Sequence, residues 1–226
     1  MNILILIIVS ILFFFLPTLV RKWRNKAVLI AVAISTAVNT NYTICYSYPV
    51  HLGPFIFGVD TLVGLIFIYT IVVIAMEFKP ANAYNITISS AAAIILAGII
   101  ESSAKSAAAG IVNFETISSL LFNVTSAFAC LLGGFVATFM VERIKMKQRW
   151  FLLLLSVLTG SLIRLTIFFA NIGILYPKIF DDLNTYASCI FGGLIETVVL
   201  LPLGLLNSLF AKNVLKLKAD NNWFKI

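Results

Sequence analysis

Seven long apolar runs, separated by short polar connections, leave this chain few ways to fold. They are Asn2–Val20, Ala27–Tyr46, Phe55–Met76, Ile86–Ser106, Ile117–Val141, Trp150–Ile172 and Ala187–Phe210. Each is near the ~20 residues an α-helix needs to cross the hydrocarbon core of a bilayer. No water satisfies backbone groups there, so each run must close its own hydrogen bonds as a helix. A soluble core cannot absorb so much apolar surface. Of the 226 residues 61% are hydrophobic and 11% charged, with mean hydropathy +1.06, whereas soluble domains carry about 25% charged residues. The expected fold class is all-α: a polytopic membrane helix bundle of about seven transmembrane helices, with the lipid bilayer as its medium. Asn2–Val20 has no basic residue before it and no small-residue cleavage site after it, so it is kept as a helix rather than a cleaved signal.

The net charge of +7 is placed in clusters between the runs. Arg21, Lys22, Arg24 and Lys26 follow the first run, Lys79 the third, and Arg143, Lys145, Lys147 and Arg149 the fifth. Lys212, Lys216, Lys218 and Lys225 lie on the tail. With seven spans all of these fall on one side, and the other keeps Lys105 and Lys178. The basic side is therefore expected to be cytoplasmic, with the N-terminus outside and the C-terminus inside an inner (plasma) membrane. Basic residues are not interleaved with aromatics on a soluble face, so no nucleic acid partner is expected. The tail Lys212–Ile226 mixes lysines with Val214, Leu215, Leu217, Trp223 and Phe224 and should lie along the inner interface.

Enzymatic and metal chemistry find little to work with. The lone His51 falls in an outer loop, without a second histidine for a metal. Neither H-E-x-x-H, G-x-S-x-G nor a phosphate-binding G-x-x-x-x-G-K-[ST] is present. The expectation is no enzyme, no cofactor and no metal site; ATP-driven work would need an ATPase coupling module on another chain. Cys45, Cys130 and Cys189 are too scattered for a disulfide framework and read as small packing residues, Cys130 inside the bilayer and the other two near outer helix ends. The Asn-x-Thr triplets at Asn41, Asn85 and Asn123 read as chance, two of them lying at or inside the membrane.

Small residues mark close helix packing in lipid. Ser89, Ser90, Ala91, Ala92, Ala93, Ala97 and Gly98 make Ile86–Ser106 the expected central helix, and Gly133, Gly134, Gly192 and Gly193 mark further contacts. Ionisable side chains within spans are costly and point to function. Four stand out: Asp60, Glu101, Arg164 and Glu196. Arg164 and Glu196 fall at similar depth on consecutive antiparallel runs, in reach of a buried ion pair. Glu101 has Lys105 four residues on, the spacing of a helix-surface pair. With Asn39, Asn41, Asn171 and His51 these residues lie toward the outer half. They suggest a polar cavity opening outward, walled by Tyr42, Tyr46, Tyr48, Phe55 and Phe57.

Certain segments carry a family likeness. They are Asn41-Tyr42, the loop Glu77-Phe78-Lys79-Pro80-Ala81-Asn82-Ala83, Ser126-Ala127-Phe128-Ala129 followed by Glu142-Arg143-Ile144-Lys145, Ser156 through Gly160 to Phe168-Phe169, and Glu196 with Leu201-Pro202-Leu203. From Ala27 onward the chain resembles the queuosine-precursor transporter family, also called the vitamin uptake transporter (VUT) family. The resemblance implies a six-helix core with both ends in the cytoplasm. It divides the chain into residues 1–26, an added helix and basic loop; 27–211, the core; and 212–226, the interfacial tail. The family usually carries Asp where Arg164 stands, Lys where Gly192 stands, and an acid at Val73. The polar pair thus has its signs reversed here.

The function so implied is import of a small polar or heteroaromatic solute, queuosine-precursor-like or vitamin-like. Arg164, Glu196, Asp60, Asn41, Asn39, Glu101 and Asn171 are the binding or gating candidates. A second reading is the substrate-binding subunit of an energy-coupling-factor transporter, which would dock its ATPase module through the A-x-x-x-A face of Ala33 and Ala37. A third is a non-transport assembly or immunity protein. A homo-oligomer is compatible with each. The charge bias makes a direct prediction: a membrane-impermeant thiol reagent applied from outside labels a cysteine placed at Lys178 and spares one at Lys145. The reverse pattern refutes the orientation.

Overall fold

A computed structural model describes residues 26–46, 50–52, 55–57, 59–110, 114–146, 149–175, 187–195, 197–198 and 202. Side chains are described for 27–40, 62–108, 110, 117–146, 149–174, 187–195, 197–198 and 202. In chain order the elements are α1 (Lys26–Tyr46), β1 (Val50–Leu52), β2 (Phe55–Phe57), α2 (Val59–Glu77), α3 (Pro80–Ala109), α4 (Phe114–Arg143) and α5 (Arg149–Leu175). Residues 187–195 are helical as well. The expected runs Asn2–Val20 and, for the most part, Ala187–Phe210 lie outside the described residues, as does the tail. Among the described residues three helices are long and apolar enough to cross a membrane: Pro80–Ala108, Ile117–Arg143 and Arg149–Ile174. The chain is a helical, membrane-embedded protein.

Local chemistry sets the helix ends. Phe78 N–H donates to the Ile74 carbonyl at 3.0 Å and closes α2. Lys79 is extended, and Pro80 then opens α3 at a position where its missing N–H costs nothing. This short link makes α2 and α3 an antiparallel hairpin. Gly110 stops α3 in the left-handed conformation, φ 70°, which glycine adopts without strain. Phe55–Phe57, expected to open a helix, instead forms β2, antiparallel to β1, with His51 opposite Ile56. His51 accordingly lies in a strand rather than a loop.

The centre of the bundle is α2, which packs against α1, α3, α4 and α5. Every residue from Leu62 to Ala75 is buried, including Phe67, Tyr69 and Ile71. This corrects the expectation that Ile86–Ser106 would be central. The small residues of α3 do not lie on one face: Ser90, Ala91 and Gly98 are buried, whereas Ser89 and Ala92 are exposed. Its inner face runs through Ala83, Thr87, Ala91 and Ile94, and its outer face carries Ile88, Leu96, Ile99 and Ile100. That outer face is apolar, as suits a helix facing lipid. Small size permits close approach but does not say on how many sides a helix is enclosed.

Tandem glycines let three helices meet at α4. A Cβ on Gly133 would lie 2.7 Å from the Gly160 carbonyl oxygen of α5, and one on Gly134 would lie 2.6 Å from Thr87 Cγ2 of α3. Ile68 of α2 fills the junction, 3.0 Å from where a Cβ on Gly160 would stand. A third close approach sets Gly98 of α3 against Asn123 of α4. Farther along α4, the Tyr84 hydroxyl donates to Glu142 at 3.0 Å, and the Tyr84 ring meets Phe135 edge-on. Buried threonine hydroxyls are satisfied within their own helices. Thr70, Thr87, Thr138 and Thr197 each donate to the carbonyl four residues back at 2.8 Å, the usual solution for threonine in lipid-embedded helices.

The crossing at Gly133 makes its own test. Gly133→Leu should cost about 1–3 kcal/mol, the usual penalty for overpacking. It should lower the thermal unfolding midpoint in detergent. A Cβ on Gly173 meets nothing within 4 Å, so Gly173→Leu should leave the midpoint near that of the parent. Equal midpoints for the two variants refute the crossing.

Candidate functional site

One strong cation lies inside the described bundle. Arg164 stands near the middle of the 27-residue α5 and is 3% exposed. A guanidinium at such a depth is costly unless neighbours replace its water. Two glycines make room for it. A Cβ on Gly64 of α2 would fall on the guanidinium carbon and both terminal nitrogens. A Cβ on Gly133 of α4 would lie 2.8 Å from the Arg164 Cβ. The Cys130 thiol of α4 is within hydrogen-bonding reach of the same guanidinium. Three helices thus enclose this side chain: α5 supplies Arg164, and α2 and α4 pack against it.

Two of these helices, α4 and α5, carry further buried polar atoms. Ser126 lies one turn before Cys130 on α4, and Ser156 and Ser161 precede Arg164 on α5; all are buried. The Ser126 hydroxyl is within reach of the Cys130 thiol, and the Oγ atoms of Ser156 and Ser161 have no hydrogen-bond partner among the described residues. Such hydroxyls can donate to or accept from a bound solute. Beyond Arg164, Phe168 and Ile172 pack with Ala129, and Phe122 meets Phe168 edge-on, which makes that end of the interface apolar. A planar guanidinium offers five donors that fit a carboxylate, phosphate or carbonyl group.

The other candidates are dispersed. Glu101 forms the ion pair its spacing predicts, 2.6 Å from Lys105, and Lys105 also reaches Ser119 at 3.4 Å. Lys105 is exposed and Glu101 partly so, and the pair contributes a few tenths of a kcal/mol at most. Asn39 is exposed on α1 and donates to the Ser35 carbonyl at 2.9 Å. Asn171, two turns beyond Arg164, donates to the Ile167 carbonyl at 2.9 Å. None of these three is gathered around Arg164. The backbone of Asp60 lies in the first turn of α2, one turn before Gly64 and on the same helix face. The side chains of Asp60 and Asn41 lie outside the described residues, as do Glu196 and the aromatic wall of Tyr42, Tyr46, Tyr48, Phe55 and Phe57.

Two features escape the sequence reading. Asn123, read as part of a chance triplet, is buried at the α3–α4 contact, where its amide donates to the Ser119 carbonyl at 2.9 Å. A buried amide in an apolar run is the signal available. Gly64 carries no comparable signal, since a lone glycine in a span has many uses. On α1, Ala33 and Ala37 of the expected docking face are buried against the bundle. Among the described residues no group of three His, Cys, Asp or Glu side chains could hold a metal ion. No protein-family model, curated protein or solved structure matches the chain.

The seat of the guanidinium can be checked through Gly64. Gly64→Ala should cost about 1–3 kcal/mol in the native chain, because the added methyl displaces a buried group. In an Arg164→Leu background the same change should cost much less. Thermal unfolding of the four chains measures the coupling, and simple additivity refutes the contact.

Proposed function

We propose that the chain imports a small polar solute across the plasma membrane and that Arg164 anchors the solute's anionic or carbonyl group. The burial of Arg164 between α2, α4 and α5 carries this reading. Ionisable groups inside membrane bundles mark ligand or ion paths by default. Buried serine hydroxyls on two of the same helices, Ser126 of α4 and Ser156 and Ser161 of α5, offer orienting groups of the kind small-solute sites use. In this proposal the chain has seven spans, its N-terminus outside and its C-terminus cytoplasmic. Its likeness to the queuosine-precursor transporters from Ala27 onward favours a heteroaromatic or vitamin-like solute. It works as a transporter, without enzymatic chemistry or cofactor. Glu196 serves as counter-charge to Arg164, with Asp60 the next acid by helix register. Solute entry exchanges one partner of the guanidinium for another.

Uptake decides the matter. Cells lacking the chain, and the same cells regaining it, are given a panel of labelled small carboxylates, nucleobases and vitamin precursors. Regained uptake should be lost with Arg164→Ala at equal membrane level. Arg164→Ala or Glu196→Ala alone should also reduce folded protein, by a few kcal/mol for an isolated buried charge. Exchange of the two charges should restore folding better than either single change. Undiminished uptake by Arg164→Ala sinks the proposal, as does a panel on which the chain makes no difference.

A further inference from the structure

Two links close the same end of the bundle. Phe78-Lys79 joins α2 to α3, and residues 144–148 join α4 to α5. The Tyr84 hydroxyl in the first turns of α3 reaches Glu142 at the end of α4, which sets the two links side by side. Cations dominate this rim. Residues 142–149 carry Arg143, Lys145, Lys147 and Arg149 against the one carboxylate of Glu142, which accepts from Tyr84. Lys79, Arg143 and Lys145 are exposed, and Arg149 is partly so. None of these last four forms an ion pair among the described residues. At the opposite end Lys105 is matched by Glu101 at 2.6 Å.

The rim also stands at the depth of lipid headgroups. The outer face of α4 runs through Ile117, Leu121, Val124, Phe128 and Phe139, all exposed. Ile117 and Phe139 are about 33 Å apart along the helix at 1.5 Å per residue, close to the ~30 Å of a hydrocarbon core. Arg143 follows one turn later, just beyond that core. Its guanidinium carbon lies 5.6 Å from the centre of the Phe139 ring. This contact uses the ring face and none of the five N–H donors. On α5, Trp150 follows Arg149 directly, and Phe151 is exposed. Tryptophan beside basic residues at the end of a span is the usual composition of a membrane interface. Orienting the chain in the bilayer accounts for the sign of these charges. It does not account for their lack of ionic partners in the folded protein.

We propose that this rim seats the headgroup of an anionic phospholipid. Arg143 and Arg149, at the ends of neighbouring helices, hold its phosphate through paired N–H donors. Lys79 and Lys145 extend the positive field around them, and one acyl chain runs down α4 over Phe139 and Phe128. A zwitterionic lipid carries the same phosphate, but its own ammonium group cancels the attraction. The site therefore selects by net headgroup charge. The assignment depends neither on which side of the membrane holds the rim nor on the identity of any solute.

Trp150 can report on the site. Trp23 and Trp223 are replaced by phenylalanine, and the full-length chain is reconstituted into phosphatidylcholine vesicles. Increasing fractions of brominated phosphatidylglycerol or brominated phosphatidylcholine are then included, whose bromines quench a tryptophan in contact with them. The anionic lipid should halve Trp150 emission at a several-fold lower mole fraction than the zwitterionic one. Arg143→Gln with Arg149→Gln should abolish this preference. Lys105→Gln with Lys178→Gln removes the same amount of charge elsewhere and should retain it. Monodisperse elution in detergent verifies that each chain is folded. In the chain that keeps both arginines, salt at about 1 M, where charges are screened within about 3 Å, should also erase the preference, so the test does not hang on a variant that folds. Equal quenching by the two lipids overturns the proposal. So does a preference that persists in the folded arginine variant, or one that salt leaves intact. Equal loss in the Lys105 and Lys178 variant overturns it as well, by reducing the preference to attraction by net charge.

Discussion

Where α4 crosses α5, the carbonyl oxygen of Gly160 occupies the place that a β-carbon on Gly133 would need. Helices in lipid gain little from hiding apolar surface, because the lipid is equally apolar. Their association rests on contact between closely approaching backbones. The paired glycines of α4 provide that contact in two directions, one toward α5 and the other toward Thr87 of α3. Ile68 of α2 then fills the hollow between them. The positions of four helices follow from this one short stretch.

The placement of Arg164 follows in turn. Its stem lies along Gly133 and its guanidinium against Gly64, so both glycines serve packing and charge together. A larger residue at either site would push the cation toward lipid, where its cost is greatest. The hydroxyls of Ser126, Ser156 and Ser161 and the thiol of Cys130 are buried polar groups on α4 and α5, the helices that also carry Gly133 and Arg164.

The helices were legible because an apolar run of spanning length has one structural answer. Their ends were less so. Pro80 to Asn85 looks like a polar connection, yet these residues form the first turns of α3, where Tyr84 reaches Glu142. Phe55–Phe57 is as apolar as the helix that follows, and only Gly53-Pro54 and Gly58 hint that it pairs as a strand. Arg164 was visible as a charge in the wrong solvent. The residues that receive it were not, since Gly64 and Cys130 acquire meaning only when α2 and α4 are set beside α5. The interior face of α3 was hidden for a related reason: when both lipid and protein are apolar, hydropathy does not separate inner from outer sides.

The enclosure of α2 bears on how the chain is assembled. As the polypeptide emerges from N- to C-terminus, α2 enters the bilayer after α1 but before α3, α4 and α5 exist. Three of its eventual neighbours are still unmade, and lipid must stand in for them. A helix with a polar flank destined for α4 or α5 would meet hydrocarbon at that stage. Between Leu62 and Met76 the hydroxyl groups are few, and that of Thr70 is already tied to the Ile66 carbonyl within its own turn. The centre of the finished bundle is thus equipped to wait alone in the membrane, and Arg164 and the buried serines arrive on the helices synthesised last.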